Sequence, residues 1–182
     1  TNEGGIYNGN WAVTIHSYLY QDGENLVRVE YDPGQKMYYS NTGETKALRP
    51  EQIIVETYNS AFQLLESRTL EMELPIWGGF FAGEDYNFVI FGQENPSESD
   101  STEVIRVVKY DKAWNRLGQA SLRGANTTVP FDAGSLRCDE YGGYLYVRTC
   151  HEMYTSSDGL NHQANLTFSV REEDMTITDS FS

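Results

Sequence analysis

Short stretches in which apolar and polar residues alternate recur along the whole chain, and a period of two is the mark of strands with one buried face. Seven stand out: Trp11–Ile15, Leu26–Val29, Ile53–Tyr58, Tyr86–Phe91, Val104–Val108, Tyr144–Val147 and Leu166–Val170. Turn-forming pairs separate them, among them Asp22-Gly23, Pro33-Gly34, Gly78-Gly79, Gly142-Gly143 and Asp158-Gly159. Ser60 to Leu70 contains helix formers but neither a cap nor a stop, and it reads as strand. The pattern predicts an all-β protein.

An internal repeat sharpens that expectation. Val55, Tyr58, Asn59, Ala61, Phe62 and Leu65 are matched by Val107, Tyr110, Asp111, Ala113, Trp114 and Leu117 at a constant offset of 52 positions. Each copy reads as a strand, a Tyr-Asn or Tyr-Asp turn, an aromatic that packs back, and a second strand. A weaker third copy runs from Phe168 to Ile177, with Asp174-Met175 near its turn and Phe168 in the place of Val107. A second offset, 58 positions, lays Tyr86 on Tyr144, Gln93 on His151 and Glu94 on Glu152. Placing Trp11 under Phe88 brings His16 under Gln93 and Ser17 under Glu94.

Repeats of this length, each built from four antiparallel strands, are the signature of β-propeller blades. One domain over residues 1–182 is expected, in three units, 6–74, 75–127 and 128–182, with an inserted hairpin at about 21–50. The segments Pro75-Ile76-Trp77-Gly78-Gly79 and Asp158-Gly159-Leu160-Asn161-His162-Gln163 resemble bacterial secreted β-propeller repeat proteins. That resemblance concerns architecture and implies no particular activity. Three blades leave strand edges open, so the expectation includes further blades from a longer chain or a second subunit. A β-sandwich is the runner-up.

Charge narrows the partners. The formal charge of −14 repels phosphate backbones, which excludes nucleic acid as a natural partner. No apolar run reaches the length of a membrane-spanning helix. Thirteen tyrosines suit strands and are too many for a disordered acidic chain. The start Thr1-Asn2-Glu3-Gly4-Gly5, without Met or an apolar signal, reads as a processed product or a piece of something longer, and both fit an extracellular or cell-surface protein. In a hairpin closed by Gly142-Gly143, Cys138 falls opposite Val147, three positions short of Cys150, which disfavours a disulfide.

Three candidate sites follow. If the alignments hold, His16, Gln93 and His151, with Ser17, Glu94 and Glu152 beside them, share one level of successive blades and converge on one rim or on the central channel, as a ring for a polar ligand or a cation; the plainer alternative is that they bond loop backbones. Carboxylates there would favour charged imidazoles. Asp158 and Asn161 offer oxygen ligands to calcium, although the spacing lacks the rest of an EF-hand loop and an ordinary Asp turn is the simpler reading. Tyr38 and Tyr39, in the inserted hairpin, present aromatic faces of the kind that sugars stack on. Trp77 and Trp114 read as core.

No nucleophile elbow, zincin helix or phosphate loop occurs. The favoured function is therefore a non-catalytic extracellular binding or scaffolding module with a glycan or protein ligand and no cofactor unless calcium. The alternative is a carbohydrate-active enzyme with paired carboxylates drawn from Asp85, Glu94, Glu103, Asp132 and Glu152.

Overall fold

The structure, a computed structural model, describes residues 14–132 and 136–181. Every regular element among them is a strand. The first sheet has the order β1-β2-β5-β6, from β1 (Ser17–Asp22), β2 (Asn25–Asp32), β5 (Gln52–Tyr58) and β6 (Leu64–Leu70). Between β2 and β5, β3 (Gln35–Tyr39) and β4 (Glu44–Arg49) form a two-stranded sheet of their own. The second sheet is a meander of β7 (Ile76–Ala82), β8 (Asn87–Gly92), β9 (Glu103–Tyr110) and β10 (Arg116–Arg123). The third joins β11 (Val129–Pro130), β13 (Tyr144–Thr155), β14 (Asn161–Arg171) and β15 (Thr176–Phe181), with β12 (Arg137–Tyr141) also paired to β13. All pairings in these sheets are antiparallel.

The described residues divide into two compact units, His16–Glu73 and a second one that runs from Leu74 onward and takes in Thr14 and Ile15. In the first, alternation along β2 and β5 buries Val27, Val29, Tyr31, Ile53 and Val55 on one face. In the second, a core cluster joins Phe88, Ile90, Val107 and Leu122 of the second sheet to Leu145, Val147, Leu166, Phe168 and Val170 of the third. β8 is buried along its entire length, the expected state of a strand with apolar layers on both faces.

The repeat is realised in the turns. After β5, Asn59 Oδ1 accepts the Ala61 and Gln63 amides at 2.9 and 3.0 Å. After β9, Asp111 Oδ1 accepts those of Ala113 and Asn115 at 2.9 and 2.8 Å. Phe62, Trp114 and Met175 all adopt positive φ, at 58°, 68° and 56°, so the third copy shares the left-handed step. The Gly142-Gly143 turn has φ of 58° and 84° and joins β12 to β13 with Tyr141 opposite Tyr144. Cys138 lies opposite Val147 and Cys150 opposite Asn165, and both thiols are free.

Two expectations are revised. Of the strand expected at Trp11–Ile15, residues 11–13 lie outside the described residues and Thr14 and Ile15 are not in a strand. The first sheet opens instead with Ser17–Asp22, whose alternating Tyr18 and Tyr20 lead into the turn before β2. The insertion is also narrower than 21–50, because Gln21 to Asp32 belongs to the sheet itself. Among the described residues no helix is long and apolar enough to cross a membrane.

Candidate functional site

The second strands of the three sheets are β2, β8 and β13. Gln93 directly follows β8, and His151 lies on β13 near its later end. His16 precedes β1, so its alignment with Gln93 was one strand out. Within its own sheet it is nonetheless level with the end of β2: its carbonyl accepts the Tyr31 amide at 2.7 Å, and the two rings meet edge-on at 5.1 Å. His16 is exposed, whereas His151 is fully buried.

Gln93 spends its amide on the Glu103 carbonyl at 2.7 Å. Thr127 Oγ1 donates to the Ala125 carbonyl at 2.9 Å and meets His151 Nδ1 at 2.6 Å. A hydroxyl has one hydrogen, so this network assigns the proton of the imidazole to Nδ1. His151 Nε2 is then a buried lone pair without a hydrogen-bond partner. The expectation that Glu94 and Glu152 favour a charged imidazole is corrected here: burial depresses the His151 pKa. Glu152 is its neighbour on β13, and successive strand residues face opposite sides.

Glu94 and Glu152 do come together, with Asn161, on the wall of an open hollow of about 290 Å³ completed by Pro96, Glu98, Thr128, Val129 and Thr155.

 Glu98 is the best-held member: it accepts the Thr155 amide at 2.7 Å, the Thr155 hydroxyl at 2.6 Å and the Asn161 amide at 3.3 Å. The two Thr155 bonds hold its carboxyl below the usual range. Glu152 Oε1 accepts the Thr128 hydroxyl at 3.0 Å. Among the described residues its wall carries three carboxylates, those of Glu94, Glu98 and Glu152, and no cationic side chain.

Asp158 and Asn161 take part in separate networks. Asp158 closes its own turn, accepting the Ser156 hydroxyl, the Leu160 amide at 3.0 Å and His162 Nε2 at 2.7 Å, and these bonds hold its pKa down at about 2. Asn161 donates to the Met153 carbonyl at 2.8 Å. Among the described residues no group of three or more His, Cys, Asp or Glu is arranged to hold a metal ion. Tyr38 and Tyr39 are exposed on β3. Trp77 and Trp114 are buried, and Trp114 stacks on Phe80 with centroids 5.9 Å apart. Of the other acids considered for pairing, Glu103 is bound by Arg106 and Asp132 accepts the Gln163 amide at 2.6 Å.

A second hollow, about 440 Å³, lies beside the Gly142-Gly143 turn, lined by Asp85, Tyr86, Tyr144, Arg171, Glu172 and Glu173. Here Glu172 hydrogen-bonds Glu140, and its pKa is pushed up to about 7 by burial first, then by Glu140 and the charge of Asp85. Lys109 opposes the shift. It lies 4.5 Å from the Tyr86 ring centroid and donates to the Glu172 carbonyl at 2.7 Å. Glu140 is itself fixed, since its Oε1 accepts the Glu84 amide at 2.5 Å. Glu172 Oε1 is buried without a hydrogen-bond partner. Sequence reasoning named Asp85 but neither Glu140 nor Glu172, because nothing local distinguishes them among 27 acidic residues.

Comparison with known proteins gives a fold. No family model matches the chain. No curated protein matches it. Among solved structures, a point mutant of Synechocystis apocarotenoid oxygenase superposes with a TM-score of 0.53 at 11% identity, over 98% of this chain and 40% of that one. A point variant of an ACO/RPE65 chimera gives 0.52 at 10% identity, over 91% and 37%. The chain thus spans about two fifths of the length of either. The favoured expectation of a non-catalytic extracellular binding or scaffolding module is corrected by this finding, because the fold is shared with an oxygenase, an enzyme. At this identity the likeness establishes the fold alone: all-β, antiparallel and propeller-like.

Proposed function

We propose that the protein is an enzyme, that each of its three large sheets is one propeller blade, and that Glu172, paired with Glu140, moves the proton in its reaction. The observation that carries this reading is a carboxyl poised at about 7 on the wall of an open 440 Å³ hollow. A group with its pKa near the working pH is present in both protonation states and can give or take a proton in the same turnover. Glu140 stays in register on β12, where its carboxylate accepts the Glu84 amide, and Glu172 comes from the turn after β14, so the pair is presented by two different elements. Arg171, on the same wall, supplies a guanidinium for an anionic substrate or intermediate. The shared fold with an oxygenase supports catalytic use of this architecture.

The test uses a chromogenic proton-abstraction probe, 5-nitrobenzisoxazole, and follows its ring opening across pH. The expected profile rises through an inflection near 7 and loses it in Glu172→Gln, with a rate lower by about 10²-fold, the low end for general acid–base catalysis. An equal rate in wild type and Glu172→Gln at every pH overturns the assignment.

A further inference from the structure

We propose that the β3–β4 hairpin is a docking arm that binds the acid-lined hollow of a second copy of this chain. Every residue of both strands is exposed. Two isolated strands are marginal in water, and among the described residues no other strand joins this pair, whose two faces are both exposed. Its apolar side chains are nonetheless large: Met37, Tyr38 and Leu48 are 44%, 65% and 51% exposed. A hairpin kept in the open with such side chains is built for a partner.

Its charge says which kind. Lys36, Lys46 and Arg49 stand against Glu44 alone, in a chain whose net charge is −14. Arg49 turns back to Asp32, with Nη2 to Oδ1 at 2.9 Å, and ties the base of the arm. Lys36 and Lys46 stand at exposed positions, Lys46 3.7 Å from the Glu44 carboxylate and 5.4 Å from the Tyr39 ring centroid, so the two strands still carry a net positive charge. The register sets Met37 opposite Lys46 on one face, and Tyr38 opposite Thr45 with Lys36 opposite Ala47 on the other. Each face of the arm thus carries one ammonium beside a large side chain, Lys46 by Met37 and Lys36 by Tyr38, so an arm inserted into a cleft presents donors on both sides. The complement is a concave surface of carboxylates, and the hollow with Glu94, Glu98 and Glu152 in its wall has that chemistry.

Light scattering with gel filtration at about 0.1 mM protein, where weak interfaces are populated, reads the association directly. The expected result is a mass above that of one chain at low salt, falling to one chain as added salt screens the contact. The Lys36→Glu, Lys46→Glu double variant and Glu94→Lys should each run as single chains, with unchanged melting because the three positions are exposed. A single-chain mass for the wild type at low salt overturns the proposal. So does association that persists in either charge-reversed variant.

Discussion

The first and second sheets are built on one repeat, yet they use corresponding rows of side chains in opposite ways. Across the second sheet, Phe80, Val89 and Val108 pair in one row and are all buried. The row that corresponds in the first sheet is Leu19, Arg28 and Glu56. Leu19 is 63% exposed, and Arg28 bonds Glu56 at 2.7 Å in a partly exposed pair. The turns repeat the contrast: Trp114 is 8% exposed and Phe62 is 77% exposed on matching backbones. A repeat therefore carries backbone geometry from copy to copy, while each copy's place in the fold decides which face must be apolar.

The largest expected effect tests that contrast at the turns. Trp114→Ala should cost about 3–5 kcal/mol, the range for removing a large buried aromatic, and Phe62→Ala should stay within about 0.5 kcal/mol, both read by urea unfolding. Equal costs would break the comparison.

Next comes pH, through two groups of the unit that runs from Leu74 onward. Burial lowers the His151 pKa, so in the folded state it binds fewer protons than the unfolded chain just below 6.5, and stability is lost as pH falls through that window. Glu172 acts in the other direction. Its folded pKa of about 7 lies above the ordinary value of 4.5, so the stabilisation it gives is full below 4.5 and is lost as pH rises to 7. Melting curves from pH 4 to 8 should therefore lose the alkaline decline in Glu172→Gln and keep it in His151→Gln. The smallest effect expected is at Phe62, where φ is 58°. Phe62→Gly should stabilise by up to about 1 kcal/mol by relieving the left-handed strain, with no buried contact to lose.

Much of the fold was legible because its determinants are local. Asn59 and Asp111 cap their turns with the same two amide bonds, and a residue type three positions on accepts positive φ in each copy. The alignment of His16 failed for an equally local reason: the alternation of Trp11 to Ile15 resembles a second strand, and only the pairing of β1 with β2 assigns that place to Asn25–Asp32. The candidate sites were legible in part. Glu94, Glu152 and Asn161 share a hollow, as residues near the ends of neighbouring strands can, but the 58-position offset could not tell that His151 faces the other way into the core.

Composition and alternation by themselves determined an acidic, all-β chain of repeated antiparallel strands with defined turns, since strand period and turn conformation depend on residues a few positions apart. Tertiary structure alone decided which repeat shows a polar face, that His151 is neutral and buried, and that Glu172 titrates near 7. Burial and the field of a neighbouring carboxylate act through space, between residues that the chain brings together only when it folds.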